Sequence, residues 1–298
     1  MLITILLFIV CVLPSGASAN LYLQMAPYAK KTSVSSGLPV LWFLPLALLF
    51  GILSLARGEN HFVLWAAFLG GVCLFAAAFL LIRSMQSSQF SFSVILVNLN
   101  FLIPVILSAI FLSERPGILQ WIGTFIPVIV IILLYFKPGE KIGFILMPVL
   151  ACLSNGLLNY CIKINANAGG DTSIFFAVLY LTGAVCGSVV FLLFKLIERR
   201  KEKTQEPVEE PARKWPLSAI LSIPGMAVCN GLTYWAEALL GSRVNASAQF
   251  TIVTSASILI SLIIGALFQK EKWTWKTTVA LLLCLVAIAF QSGAFFQE

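Results

Sequence analysis

Charge is scarce in this chain. Only 10% of its 298 residues are Asp, Glu, Lys or Arg, against roughly a quarter in a soluble domain. That excludes a soluble globular enzyme, a nucleic-acid binder and a disordered chain. Histidine is scarcer still. His61 is the single one, set in the polar turn 57–61, and reads as an exposed loop residue. One histidine allows neither HExxH nor a His cluster for zinc or iron. A Ser-His-acid protease would need His61 inside the membrane, which its polar neighbours argue against. No Gly-x-x-x-x-Gly-Lys-Ser/Thr segment occurs, which argues against ATP-driven pumping. CxxC is missing too. The seven cysteines (11, 73, 152, 161, 186, 229 and 284) all lie in apolar runs, and read as small packing residues rather than a disulfide framework or metal site. No enzymatic activity, cofactor or metal is expected.

Apolar residues are what the chain has in excess: 60% of the total, with a mean hydropathy of +0.99. Ten apolar runs can be marked: 2–25, 38–56, 62–82, 90–112, 118–136, 142–164, 173–197, 216–240, 246–268 and 273–290. They are numbered 1 to 10. Each approaches the roughly 20 residues that span a bilayer as a helix. Strands are disfavoured, because the runs are long and continuous rather than short and alternating. The expected class is an all-α integral membrane protein with ten transmembrane helices, multi-pass, in the cell membrane. The segment 1–19 within run 1 ends in Ser15-Gly16-Ala17-Ser18-Ala19, which resembles a signal-peptide cleavage site. No Lys or Arg precedes the apolar stretch, however, and the run continues through Leu23. A retained helix is expected. The stretch 198–214, ERRKEKTQEPVEEPARK, reads as a solvated linker, because its charges are mixed and it carries Pro207 and Pro211.

The pattern repeats internally. Run 4 opens with Ser87-Ser88-Gln89-Phe90-Ser91 and run 9 with Ser247-Ala248-Gln249-Phe250-Thr251. Run 4 ends at Phe111-Leu112-Ser113-Glu114-Arg115 and run 9 at Phe268-Gln269-Lys270-Glu271-Lys272. Runs 1 and 6 match loosely, with Asn20 and Gln24 against Asn159 and Lys163. This divides the chain into five-helix repeats at 1–141 and 142–298. An odd helix count makes the second half enter the membrane from the opposite side. Inverted halves of this kind recur in secondary transporters, with substrate near the midplane between them.

Polar residues inside spans mark helix contacts or a cavity. Asn155, Asn159 and Lys163 in run 6 are spaced by four and share a face, with Tyr160 beside them. Asn230, Tyr234 and Glu237 in run 8 are spaced four and three and share another. Asn20 and Gln24 in run 1, Asn98 and Asn100 in run 4, and Gln249 in run 9 complete the candidates for binding or coupling. Interhelical hydrogen bonding is the plainer reading of such residues. Glu237 is the only acid of the twelve within a span. In a low-dielectric cavity its carboxyl could take a proton or a cationic substrate in turn; alternatively it pairs with Arg243 at the interface. Lys163 lies near the end of run 6 and is expected to snorkel to the headgroups. Pro14, Pro104, Pro148 and Pro224 are expected to interrupt runs 1, 4, 6 and 8. Gly70, Gly71, Gly183 and Gly187 are expected to let helices approach closely.

Taken together, these residues resemble the drug/metabolite transporter superfamily, in its ten-helix EamA-type branch. The resemblance is strongest from Leu99 through Pro104 to Glu114-Arg115, then Gln120-Trp121-Ile122-Gly123. It matches the family's fourth helix, with its central proline and terminal Glu-Arg, and the Gln-x-x-Gly opening of the fifth. The second copy departs from it, with Ser261 at the proline position and Ala280 at the glycine. The resemblance implies a central cavity lined by helices 1, 3, 4, 6, 8 and 9, and no single substrate.

The expected function is secondary active transport of a small polar or amphipathic solute, by alternating access and with protons as coupling ion; export is the direction the resemblance implies. The partners are the solute and the lipid bilayer, with no nucleic acid; a homodimer is left open. The alternative is a membrane scaffold or sensor without flux. Phosphorylated solutes are disfavoured, because only Lys163 approaches a buried cation. The charge count sets four basic residues on the face that holds both termini and fifteen on the other. By the positive-inside rule that places the termini outside, whereas the resemblance implies termini inside.

Overall fold

The structure, a computed structural model, describes residues 2–29, 31–86, 99–135, 146–202, 215–268 and 274–292. Its regular structure there is helical throughout. Ten apolar helices follow one another: α1 Leu2–Met25, α2 Val40–Arg57, α3 Leu64–Met85, α4 Leu102–Phe111, α5 Ile118–Tyr135, α6 Leu146–Asn167, α7 Thr172–Glu202, α8 Leu217–Gly241, α9 Ala246–Phe268 and α10 Trp275–Ser292. A six-residue helix, Thr32–Gly37, precedes α2. Helices answer the requirement that every backbone group in lipid be satisfied within its own segment. Leu48, Ile52 and Leu55 of α2 and Leu192, Leu193 and Leu196 of α7 are exposed. These are the surfaces that lipid covers. The chain is an integral, multi-pass membrane protein.

Contacts between helices fix their directions. Cys11 of α1 meets Thr233 and Glu237 of α8, and Gln24 meets Ser222, so α1 and α8 are antiparallel. Asn155 of α6 meets Tyr234, and Lys163 meets Gly241, so α6 and α8 are parallel. Helices α1 and α6 therefore cross in opposite senses. Partners recur in kind as well. Helix α1 packs chiefly on α8, as α6 does on α3, while α2 packs on α7 and α5 on α10. These pairings join helices at equivalent places in the two inverted halves.

Small residues set the closest approaches. A Cβ at Gly71 of α3 would stand 2.6 Å from Cβ of Thr182 on α7. The closeness expected of the α3 and α7 glycines is present. Proline behaves differently from expectation in run 4. A 3₁₀ turn, Leu99–Phe101, precedes α4, and Pro104 is the third residue of the helix. It begins α4 rather than interrupting it, since first-turn N–H groups have no intrahelical partner to lose. Without that N–H, the carbonyl of Asn100 is free of its i+4 bond. It lies against Gly156 of α6, 2.7 Å from where a Cβ would stand. Pro148 lies in α6, and the residues before Leu146 lie outside the described set. Pro14 and Pro224 do lie inside α1 and α8.

The linker expectation needs one correction. Helix α7 continues to Glu202, so the first five residues of 198–214 are helical, and Glu198 accepts from the backbone N–H of Ser33 at 3.1 Å. A helix projecting past the bilayer keeps its charged last turns hydrated. Residues 203–214 lie outside the described set.

Candidate functional site

Glu237 sits in the last third of α8, and only 4% of it is exposed. Its Oε1 accepts a weak bond from the Cys11 thiol at 3.9 Å. Its Oε2 has no hydrogen-bond partner among the described residues. The alternative pairing with Arg243 is not made: Arg243 is exposed, and no ion pair joins the two among the described residues.

Around this carboxyl the structure gathers residues from five helices. Tyr234, one turn earlier on α8, donates to Asn155 Oδ1 of α6 at 3.4 Å. Because α6 and α8 run in parallel at 1.5 Å per residue, Asn159 stands level with Glu237. Asn159 is buried, and its Oδ1 is unpartnered. Gln249 of α9 is fully buried and donates through Nε2 to the Glu237 backbone carbonyl at 2.8 Å. Its Oε1 has no partner. Asn230 lies beside Tyr22 of α1. Tyr180 of α7 and Tyr234 both lie within electrostatic range of Glu237.

Tyr22 packs edge-on against Trp42 at 6.1 Å between ring centres, and Trp42 edge-on against Phe43 at 5.8 Å. Phe43 and Phe50 flank Tyr180 at 6.0 and 5.9 Å. Trp42 and Tyr180 are wholly buried, yet Trp42 Nε1 and Tyr180 OH are unpartnered. The centre thus holds a closed aromatic wall beside one acid, with unmet hydrogen-bonding demand on several sides.

Lys163 overturns its expectation. It does not snorkel; its side chain is 1% exposed. Nζ reaches Glu114 Oε1 at 3.0 Å and donates to the carbonyls of Gly241 and Val244 at 2.8 and 2.6 Å. Glu114 Oε2 in turn accepts from the Ala246 N–H at 2.6 Å. One ion pair therefore joins the end of α4, α6, the C-terminus of α8 and the N-terminus of α9. The helix ends supply the carbonyls and N–H that complement the two charges. Two further acids seal the same face. Glu59 accepts from the N–H groups of Ser173 and Ile174, and Asp171 from those of Asn60 and His61. His61 is exposed, as expected.

The other candidates fare unevenly. Gln24 is exposed and accepts from Ser222 Oγ at 3.0 Å. That is 15 residues before Glu237 on α8, about 22 Å away along the axis, so Gln24 does not join the central group. Asn100 is half-buried on the 3₁₀ turn. Tyr160 is half-buried and has no polar contact with this group among the described residues. Asn98 and the side chain of Asn20 lie outside the described residues. Sequence reasoning missed Cys11, Tyr22, Trp42 and Tyr180, which carry no signal inside uniformly apolar runs. Glu114 was open to inference: Lys163 needs a buried partner, and the span count places Glu114 on the same face.

The model of the EamA-like transporter family matches residues 141–293. The chain belongs to the EamA-like transporter family. This agrees with the resemblance read from runs 4 and 5 and with the drug/metabolite transporter superfamily. A crystal structure of a protein with 17% identity superposes with a TM-score of 0.67, covering 95% of this chain and 98% of that one. At that identity the likeness is one of fold. No curated protein matches the chain. The family is one of transporters rather than enzymes, and a drug or metabolite as cargo follows from membership.

Proposed function

We propose that this EamA-like protein is a secondary active transporter of small polar or amphipathic solutes, exporting them by alternating access with Glu237 as the proton-carrying group. The observation that carries the reading is the unpartnered Oε2 of Glu237, buried where α1, α6, α7, α8 and α9 converge. A carboxyl left without a protein partner is costly, and an intramembrane acid is a functional residue by default. Binding a proton or a ligand removes that cost, so occupancy and burial become coupled. The side chains that interact with the Glu237 carboxyl among the described residues are Cys11, Tyr180 and Tyr234, none of them a cation.

The division into 1–141 and 142–298 supplies the moving parts. The Glu114–Lys163 pair holds one face shut by joining elements of both halves, so opening that face requires the pair to separate. On the opposite face, an apolar crevice of about 590 Å³ lies between the helix Thr32–Gly37, α2, α7 and α8, lined by Leu38, Leu41, Phe191 and Trp215. It suits the apolar part of an amphipathic solute.

The test is metabolite profiling of cells and medium. Wild type, Glu237→Gln and empty vector are compared at matched membrane levels. The expected result is one solute class that moves outward with wild type and fails to move with Glu237→Gln. An equal shift in both would leave transport standing and make Glu237 structural. No shift across several growth conditions would overturn the transport reading.

A further inference from the structure

The crevice between the helix Thr32–Gly37, α2, α7 and α8 suits the apolar part of a solute, but between solutes it does not stand empty. Its volume is about 590 Å³. Ser188 and the Trp215 indole carry the polar side-chain atoms of its lining, too few to hold water, which needs two to four polar partners. A dry void forfeits dispersion contacts on every wall. Leu41 and Ile220, which line it, are exposed, and so are their neighbours Leu192 of α7 and Leu217 and Leu221 of α8. The crevice thus opens sideways, onto the surface that lipid covers. The abundant apolar molecule there is an acyl chain.

The rim carries positive charge. Lys195 sets its Nζ 5.2 Å from the centre of the Phe191 ring, and Phe191 lines the crevice. Arg199 follows one turn later on the same face of α7. Both bases are exposed, and neither has an ion pair among the described residues. The acid beside them, Glu198, is taken up by the short helix: it accepts from the backbone N–H and the hydroxyl of Ser33. That tie also holds Val34, the next residue and part of the lining, in place. Trp215 pairs with Tyr28 at 5.6 Å between ring centres, and such aromatics sit at headgroup level. This end of the bundle is the one to which the span count assigns fifteen of the nineteen Lys and Arg.

We propose that this crevice is the seat of an anionic phospholipid of the surrounding bilayer. One acyl chain fills the space between Leu38, Leu41, Phe191 and Ile220, and the headgroup phosphate lies against Lys195 and Arg199. Basic pockets between membrane helices select anionic headgroups. A zwitterionic headgroup brings its own cation to a rim that already holds two. The proposal rests on the membrane fold and the crevice, not on the transport reading: a solute that uses the crevice displaces the lipid chain.

The test is native mass spectrometry of the purified, delipidated full-length chain in detergent. It is mixed with equal amounts of phosphatidylglycerol and phosphatidylcholine that carry the same acyl chains. Phosphatidylglycerol is expected to stay bound under collision conditions that strip phosphatidylcholine. Lys195→Gln should lower its retention about fivefold, and Arg199→Gln in addition by a similar factor. Both positions are exposed, so the fold does not depend on them. Ser188→Phe, which fills the crevice, should lower retention of both lipids. Arg57→Gln with Arg243→Gln, at the other end of the bundle, should leave retention unchanged. Equal retention of the two lipids overturns the proposal, as does unchanged retention in the Lys195 and Arg199 variants or in Ser188→Phe. So does an equal loss in the Arg57 and Arg243 variant. Selective retention in a protein that moves no solute supports the seat while the transport reading fails. Flux without selective retention leaves transport standing and removes the lipid.

Discussion

Replacing Lys163 with Met keeps the length of the side chain and removes its charge, so the substitution isolates the ion pair from packing. Three partners then lose a donor: Glu114 Oε1 and the carbonyls of Gly241 and Val244. Removing one member of a buried pair costs about 3–5 kcal/mol, because the other charge stays buried and unpaired. The side chain of Glu114 is only 13% exposed, so solvent relieves little of this. Its bond from the Ala246 N–H remains and offsets part. We expect Lys163→Met to destabilise by about 3 kcal/mol. Glu114→Gln should cost less, about 1–3 kcal/mol, since Lys163 keeps both carbonyls. The double variant should be less damaging than the two effects added, by about 0.5–3 kcal/mol of coupling. The assay is reversible unfolding in mixed micelles, with denaturing detergent as titrant, on all four proteins. A snorkelling lysine would give Lys163→Met a change within about 0.5 kcal/mol. That result, or strict additivity of the two variants, would refute the buried latch.

Gly156→Val should abolish monodisperse protein on gel filtration, because its Cβ would meet the Ile103 side chain and the Asn100 carbonyl. Gly51→Ala, with nothing within 4 Å of the new Cβ, should be neutral or stabilise α2 by about 0.5–1 kcal/mol in the same unfolding assay. Glu59→Ala should speed hydrogen exchange at the amides of Ser173 and Ile174, which it caps, and cost about 1–2 kcal/mol. Gln291→Leu should loosen α10 from α5 by removing the donor to the Gln120 carbonyl and Thr124 Oγ1. A drop of about 1–3 kcal/mol is expected; an unchanged unfolding midpoint would show that seam to be idle.

What the sequence by itself determined is what depends on local chemistry. Scarce charge and continuous apolar runs impose helices in lipid, and spacings of three and four place Asn155, Asn159 and Lys163 on one face and Asn230, Tyr234 and Glu237 on another. The alternation of spans follows from counting them, and the family was expected from a resemblance strongest between Leu99 and Gly123, whereas the family model matches the second half, 141–293. Only the tertiary structure decided which faces meet. A run that is apolar all round carries no signal of its inward side, so Cys11 against Glu237, 226 residues apart, had no local trace. Nor had Trp42 or Tyr180. The fate of Lys163 turned on the same fact: its position in α6 allowed either snorkelling or burial, and Glu114, brought across from the end of α4, decided it. Pro104 follows a 3₁₀ turn whose Asn100 carbonyl lies against Gly156 of α6, a contact that only packing between helices reveals. A charge or polar atom inside a bilayer is costly wherever it stands, and which neighbour relieves that cost is a property of helix packing.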